Sequence, residues 1–221
     1  MTESTVERFY RHIAPVYDLL ATAPVVRGWR TRAADALALS PGDTVVEMGC
    51  GTGANLPYLR ERVGSDGRVV GIDRTPAMLD RARDRVARAG WENVTLCRGD
   101  AARPPVEGVD AVLGSFVVGM LDSPGVAVDR WLDALAPGGR VAVLEAGTSD
   151  RTLAAPLNLG FRAFVRVSSP GGLLSRRSPA DVLDRRIAAA QDTIAARTVE
   201  RRHKTAACGL VSITRGRLSR E

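Results

Sequence analysis

A glycine-rich turn between an apolar run and a helical segment is the part of the sequence best suited to bind a small ligand. Residues 45–54 read Val-Val-Glu-Met-Gly-Cys-Gly-Thr-Gly-Ala, so that Gly49, Gly51 and Gly53 alternate with other residues. Glycine permits positive φ angles and lets backbone N–H groups approach a ligand at the N-terminus of the following helix. The turn alone leaves NAD, FAD or no ligand as open alternatives.

Two carboxylates narrow the choice of ligand. Asp73 ends the second apolar run, 20 residues after Gly53, where a carboxylate can accept both hydroxyls of a ribose. Glu47 lies two residues before Gly49, and the glycine spacing differs from the Gly-X-Gly-X-X-Gly run that admits a pyrophosphate. A carboxylate there repels a pyrophosphate but suits a ligand with a positive charge and an amino group. A sulfonium, an α-amino acid and an adenosine together describe S-adenosylmethionine.

Short apolar runs alternate with helical patterns at intervals of 20–25 residues, which predicts βαβ units and a doubly wound, mostly parallel α/β sheet. Two later runs, 198–205 and 210–215, indicate a closing strand pair and a sheet of seven strands. We expect one domain, with lid helices in 1–39 (two helices over 5–39, broken near Pro24), a core in 43–146 and acceptor-side helices and strands in 147–221. The predicted strands are 44–48, 68–72, 94–97, 110–115 and 140–145, and the later predicted helices are 75–89, 126–135 and 179–196.

Five motifs follow one another in the order and spacing of a known family. They are 47–53 (Glu-Met-Gly-Cys-Gly-Thr-Gly), Asp73 after Val-Val-Gly-Ile, Asp100-Ala101, 110–115, and 135–139 (Leu-Ala-Pro-Gly-Gly). Over residues 43–146 the chain resembles the class I S-adenosylmethionine-dependent methyltransferases. Residues 9–18 (Phe-Tyr-Arg-His-Ile-Ala-Pro-Val-Tyr-Asp) resemble the lid helix of the subgroup with the ubiquinone/menaquinone C-methyltransferases and bacterial phospholipid N-methyltransferases.

The resemblance implies a role for each matched position. The turn at Gly49, Gly51, Thr52 and Gly53, with Glu47, would surround the methionine part of S-adenosylmethionine, near Ser115 and under a lid closed by Tyr17. Asp73 would hold the ribose, and alternatively it could cap the helix that follows. Arg74, Met78, Asp100 and Ala101 would surround the adenine, although Met78, Ser115 and Tyr17 could instead serve packing alone.

Methyl transfer from a sulfonium is an in-line displacement, in which positioning supplies most of the acceleration. A base helps only when the acceptor must lose a proton. The two histidines, His12 in the lid and His203 in a late strand, are the candidate catalytic bases, since histidine titrates near neutrality. Asp18 and Glu145 are weaker candidates. Each histidine could instead be exposed or packed.

The acceptor is the least defined part of the prediction. The fourth strand ends Gly-Ser-Phe-Val-Val, without the Asn/Asp-Pro-Pro-Tyr/Phe motif of nucleic-acid amino methylation or a following Pro-Cys, which disfavours nucleic acid as the acceptor. Residues 156–167, if helical, form a broad apolar face beside Arg162 and Arg166, which suits a membrane interface, with Arg176 and Arg177 following. An ordinary amphipathic helix over the sheet is the alternative. We therefore predict a hydrophobic acceptor, such as an isoprenoid quinone precursor or a phospholipid amine.

Charge and composition set further bounds on the function. The last 71 residues (151–221) carry 14 basic and 5 acidic side chains against 17 and 20 in residues 1–150, so the positive excess of the chain lies in its last third. No apolar run is long enough to cross a bilayer, and three cysteines without a Cys-X-X-Cys pair favour neither disulfides nor a metal site. The expected location is cytoplasmic, with peripheral membrane contact through 156–177. A soluble small-molecule O- or N-methyltransferase and a non-catalytic cofactor-binding module remain alternatives.

Overall fold

A seven-stranded sheet forms the centre of the molecule, in a computed structural model that describes residues 24–168 and 178–220. The strand order is β3-β2-β1-β4-β5-β7-β6, and every neighbouring pair is parallel except β5–β7 and β7–β6. The doubly wound, mostly parallel sheet predicted from the sequence is confirmed. The strands are β1 (Thr44–Met48), β2 (Arg68–Asp73), β3 (Val94–Arg98), β4 (Val109–Ser115), β5 (Leu135–Ala146), β6 (Val199–Ala206) and β7 (Val211–Arg217).

Six α-helices accompany the sheet within the described residues. They are α1 (Pro24–Ala36), α2 (Leu56–Val63), α3 (Pro76–Ala89), α4 (Pro124–Asp133), α5 (Ala155–Ser168) and α6 (Pro179–Arg197). The first of the two helices predicted in residues 5–39 lies outside the described residues, and the second is α1. The predicted helices over 75–89 and 179–196 are present as α3 and α6, and 156–167 is helical within α5.

Strand residues alternate between two buried faces, because successive side chains of a strand point to opposite sides. Val45 packs with side chains of α1, α2 and α3, whereas its neighbour Val46 packs with the α4 and α6 side, where Trp131 is fully buried. Both faces of the central strands are therefore covered by helices, which explains why these runs are apolar throughout rather than alternating.

The prediction of a helix over 126–135 is wrong at its end. Helix α4 stops at Asp133, and Leu135 already pairs with Val109 of β4, so that Pro137, Gly138 and Gly139 lie inside β5. The register shift between Val109 and Ala111 accommodates this segment, and Gly138 has a φ of +78°. Proline and glycine therefore mark an irregularity in a strand here, not the stop of a helix.

The C-terminal part completes the sheet. The predicted strand pair is present as β6 and β7, joined by a turn in which Ala207 and Cys208 adopt positive φ angles. Helix α6 covers the α4 side of the sheet through Ile187, Ala190 and Ile194. Among the described helices, none combines the length and the apolar character that a membrane span requires.

Candidate cofactor site

The glycine turn follows β1 directly and is shaped by three positive φ angles. Gly49, Gly51 and Gly53 have φ values of +67°, +55° and +77°, a region that other residues seldom adopt. A Cβ on Gly49 would lie 2.5 Å from Cγ2 of Val117, and one on Gly53 would lie 2.6 Å from Cδ1 of Leu56. The backbone of the turn is therefore packed closely on both sides, and only glycine fits at these two positions.

Asp73, at the end of β2, holds the turn from the neighbouring strand. Its Oδ2 accepts the N–H of Gly51 at 2.9 Å, and its Oδ1 accepts the N–H of Thr75 at 2.8 Å. Burial raises the pKa of Asp73, although these backbone hydrogen bonds oppose the rise. Thr75 is the N-cap residue of α3, so this bond does not cap the first turn of the helix, and each carboxylate oxygen of Asp73 keeps a second lone pair for a further donor.

Glu47 lies behind the turn in a buried polar network. Asn55 donates through Nδ2 to Oε1 of Glu47, and Oδ1 of Asn55 accepts from Nη1 of Arg30 at 2.9 Å. Burial raises the pKa of Glu47 to about 7, while Asn55 and the charge of Arg30 act in the opposite direction. The second oxygen, Oε2, is buried and has no hydrogen-bond partner among the described residues.

Arg30 links this network to the end of β4. Its Nη1 lies 3.4 Å from Oγ of Ser115, and its guanidinium is stacked over the ring of Phe116, 5.4 Å from the ring centre. Only 4% of Arg30 is exposed, and Ser115 is also buried. The ends of β1 and β4 and helix α1 therefore meet at one group of polar side chains.

A second buried carboxylate, Glu145, lies at the end of β5. Its Oε1 accepts the N–H groups of Val117 and Val118, each at 2.9 Å. Burial raises the pKa of Glu145 to about 8, and the two backbone bonds limit the rise. Because Val117 packs on Gly49, Glu145 fixes the segment that closes one side of the glycine turn.

The remaining residues assigned to the adenine lie along the ends of β2 and β3. Met78 and Ala101 are buried, and the carbonyl of Ala101 accepts Nε1–H of Trp131 at 2.6 Å. Asp100 is exposed and uses Oδ1 to accept the N–H of Ala102 at 2.9 Å, while Arg74 is exposed directly after Asp73. Thr52 is buried in the turn, and its carbonyl accepts from Nε of Arg85.

The structure does not bring the candidate catalytic base His203 to this site. His203 lies on β6, the outermost strand, with β7, β5 and β4 between it and β1, and its Nδ1 lies 2.8 Å from Oγ1 of Thr214. Burial and the neighbouring Arg201 lower the pKa of His203. A catalytic role for His203 gains no support from this position. His12, Tyr17 and Asp18 lie outside the described residues.

Sequence reasoning missed Asn55 and Arg30. Arg30 occupies the buried stripe of α1 together with Ala33, Ala34 and Leu37, at the i, i+3, i+4 and i+7 positions of one helical face. A charged residue within such an apolar stripe is the signal that could have identified it. Asn55 carries a weaker signal, since a polar residue after a glycine turn is ordinary before a helix.

The residues present fit S-adenosylmethionine in two respects. The buried, unpartnered Oε2 of Glu47 is an acceptor that a cationic amino group would satisfy, and buried carboxylates normally require such a partner. The glycine turn carries no side chain of its own at Gly49, Gly51 and Gly53, and Asp73 lies beside it as an acceptor for hydroxyl groups.

Comparisons with known proteins agree with this geometry. Residues 45–139 match the family described as a methyltransferase domain. The chain is 41% identical over 113 residues to an aklanonic acid methyltransferase of Streptomyces, covering 48% of this chain and 51% of the relative. It is 32% identical over 150 residues to a 2-phytyl-1,4-naphtoquinone methyltransferase of Thermosynechococcus vestitus, covering 64% of each. The chain thus spans about half of the first relative's length and under two thirds of the second's.

The fold is also similar to solved structures. The mitomycin 7-O-methyltransferase MmcR superposes with a TM-score of 0.68 at 21% identity, covering 96% of this chain and 60% of that one. Residues 45–139 thus match a methyltransferase domain, and the sheet order is that of a fold found in solved methyltransferases. The expected resemblance and cofactor are thereby confirmed.

Proposed function

We propose that the chain transfers a methyl group from S-adenosylmethionine to a hydrophobic acceptor, such as an isoprenoid quinone precursor or a phospholipid amine. The observation that carries the proposal is the exposed apolar face of α5 and the short turn before it. Leu153 is 89% exposed and Val167 is 67% exposed. Leu157 and Phe164 lie on the same face as these two residues. The steps from Leu153 to Leu157, on to Phe164 and on to Val167 are four, seven and three residues, and each of these spacings returns to one side of a helix.

The cofactor contacts that we propose follow from the geometry of the turn. Oε2 of Glu47 binds the amino group of the methionine moiety, and the remaining lone pairs of Asp73 accept the ribose hydroxyls. Met78 and Ala101 pack against the adenine, with Asp100 as the acceptor for its amino group. Arg74, Thr52 and Ser115 border the same space, and the lid residue Tyr17 stays a prediction.

The chemistry requires little from the protein beyond position. S-adenosylmethionine, when bound, supplies a methyl group on a positively charged sulfur. Glu47 and Asp73 hold the cofactor by its two polar ends, the amino group and the ribose. The orientation of the methyl group is thereby fixed, and with it the line along which the acceptor must approach. Glu145 acts as a positioning residue, because its bonds to the N–H groups of Val117 and Val118 hold Val117 where it borders the glycine turn.

A membrane is the surface from which such an acceptor is reached. Exposed apolar side chains on a helix insert into the headgroup region, and basic side chains nearby are attracted to anionic lipids. Residues 151–221 carry a net charge of +9 (14 basic minus 5 acidic), and Arg151 is exposed beside Leu153. We propose that this face of α5 rests on an anionic bilayer.

The two relatives point to different acceptors. Similarity to a naphthoquinone methyltransferase supports the isoprenoid quinone class, and similarity to an aklanonic acid methyltransferase supports the alternative of a soluble small molecule. The exposed face of α5 favours the first, because a soluble acceptor gives no reason for apolar side chains to face water.

Methyl transfer tests the acceptor directly. The full chain is incubated with methyl-labelled S-adenosylmethionine and vesicles that contain either a demethylated quinol or phosphatidylethanolamine, and with aklanonic acid in a parallel aqueous reaction. Label in the organic phase supports the proposal, and label only on the aqueous acceptor contradicts it in favour of the soluble alternative. No label despite intact cofactor binding would indicate a non-catalytic module.

Vesicle sedimentation tests the membrane contact separately. The double variant Leu153→Ser/Val167→Ser should bind anionic vesicles about tenfold more weakly, because two apolar side chains no longer enter the bilayer. Val126→Ser is the matched control, since Val126 is 52% exposed but lies on α4. Equal binding by the double variant and the control would contradict the contact.

A further inference from the structure

A cleft between α1 and the β6–β7 hairpin lies apart from the glycine turn. Its volume is about 410 Å³, within the range of small-ligand sites. We call it the basic cleft and define it by Trp29, Arg32, Arg202, Lys204 and Arg215. Helix α1 separates the two regions, because Trp29 borders the cleft whereas the next residue, Arg30, reaches the polar network at the glycine turn.

The register of the hairpin places like charges opposite each other. Arg202 of β6 pairs directly with Arg215 of β7, and directly paired residues of antiparallel strands share one face of the sheet. Lys204 lies two residues after Arg202 and therefore on the same face. Like charges in such positions repel and destabilise a strand pair. A negative charge between them would relieve this repulsion.

The described part of the chain supplies this negative charge only in part. Asp35 also borders the cleft, but its Oδ1 accepts from Arg62 at 2.5 Å and 3.0 Å. Glu200 of β6 is paired with Arg217 at 2.6 Å. Within residues 24–168 and 178–220, no carboxylate forms an ion pair with Arg32, Arg202 or Lys204. Four cations therefore border one cleft, and among the described residues the charge of Glu200 acts on Arg215 while Arg32, Arg202 and Lys204 have no ion-pair partner.

The shape and the donors of the cleft indicate the class of ligand. Arginine presents a planar fork of N–H donors that matches the oxygens of a phosphate, and lysine adds a point charge. One donor of Arg215 is directed to the carbonyl of Ala36 at 3.0 Å, which fixes this side chain at the wall of the cleft. Trp29 adds a half-buried aromatic surface.

We propose that the basic cleft binds a phosphate-bearing anion, held by Arg32, Arg202, Lys204 and Arg215. The anion is either the headgroup of an anionic phospholipid or a soluble phosphate compound, since both present the same oxygens. The site does not depend on the proposed function. Loss of phosphate binding leaves the methyl-transfer proposal unaffected, and the reverse also holds.

Calorimetric titration with inorganic pyrophosphate at low ionic strength tests the site. Wild-type protein should bind pyrophosphate, and both Arg202→Gln and Lys204→Gln should raise the Kd about tenfold, because each removes a charged donor. Arg201→Gln is the matched control, since it removes the same charge from the same strand outside the cleft. Melting curves without pyrophosphate establish that each variant is folded.

Two results would overturn the proposal. One is the absence of pyrophosphate binding by wild-type protein at low ionic strength. The other is an equal loss of affinity in Arg201→Gln and Arg202→Gln, which would indicate attraction to the overall positive charge instead of a site.

Vesicles distinguish the two sources of the anion. If the ligand is a lipid headgroup, vesicles of phosphatidylglycerol bind wild-type protein more tightly than Arg202→Gln, and pyrophosphate displaces them. If the ligand is soluble, Arg202→Gln changes pyrophosphate binding but leaves vesicle binding equal to that of Arg201→Gln. Both results support a phosphate site, and they differ only in whether the anion is a lipid headgroup or a soluble compound.

Discussion

Oε1 of Glu145 accepts the backbone N–H of Val117 at 2.9 Å, which ties the end of β5 to the segment after β4. The same oxygen accepts the N–H of Val118. Val117 in turn occupies the space in which a side chain on Gly49 would lie. A buried carboxylate on β5 therefore helps to shape the turn that follows β1. Only β4 lies between these two strands in the sheet.

Replacement of Glu145 separates positioning from charge. Glu145→Ala leaves two buried N–H groups without an acceptor, each at a cost of about 1–3 kcal/mol, and should weaken S-adenosylmethionine binding about tenfold or more. Glu145→Gln keeps a carbonyl oxygen for both N–H groups and should stay within about threefold of wild type. Equal losses in the two variants, measured by calorimetry, would contradict the positioning role.

The contribution of Glu145 to the stability of the protein should fall as the pH rises from 4.5 to about 8. The pKa of Glu145 is about 8 in the folded protein, above its ordinary value of 4.5, so the folded state holds a proton that the unfolded chain has lost. The free energy of unfolding attributable to this group is highest below pH 4.5 and declines until about pH 8. In Glu145→Gln this part of the decline should be absent, as urea unfolding at several pH values would show. An identical decline in both proteins would rule out Glu145 as its source.

Affinity for S-adenosylmethionine should rise with pH up to neutrality. Burial holds the pKa of Glu47 at about 7, and only the ionised carboxylate attracts a cationic amino group. Binding below that pH must release a proton, so the Kd should be several-fold higher at about pH 6 than at about pH 7. Glu47→Gln should bind weakly and without this dependence. A wild-type Kd that is constant over this range would contradict the assignment of Glu47.

Gly49 should not tolerate a side chain. Gly49→Ala combines a φ of +67° with a Cβ 2.5 Å from Val117, and we expect a loss of about 2–4 kcal/mol of stability together with cofactor binding. Gly160→Ala is the matched control, because Gly160 lies in α5 with no atom within 4 Å of a new Cβ. Its stability should be unchanged or higher by up to about 1 kcal/mol. Thermal unfolding of both variants measures the difference, and a Gly49→Ala protein as stable as wild type would refute the close packing.

The central strands can be predicted from the sequence because their burial shows in short local runs of apolar residues. The run over 44–48 coincides with β1, and the predicted β2, β3 and β4 differ from the structure by one residue at one end. Each is a short apolar run between glycine- and proline-rich turns, so no distant contact is needed to recognise it. Local patterns fail at Leu135, which they predict to be helical but which pairs with Val109 in the sheet. The periodicity of apolar residues carries no information on such a contact between strands.

In the candidate site, too, some residues carry a local signal in the sequence and others do not. Glu47 and Asp73 carry a signal in their spacing from the glycines, whereas Arg30 acquires its role through a contact with Ser115, 85 residues away. His203 is the opposite case, since its residue type suggests a catalytic base, whereas its place on the outermost strand gives that role no support. Residue type and spacing identify a turn, but the partners of a buried side chain depend on the fold.

Calorimetric titration of the full chain with S-adenosylmethionine tests the central claim most directly, with Asp73→Ala and Asp66→Ala titrated in parallel. Asp66 is an exposed aspartate in the turn before β2 and serves as the control. Wild type and Asp66→Ala should bind equally, and Asp73→Ala should bind at least about a hundredfold more weakly, because the ribose loses two charged hydrogen bonds. A folded Asp73→Ala protein with wild-type affinity would show that the cofactor does not bind at this turn.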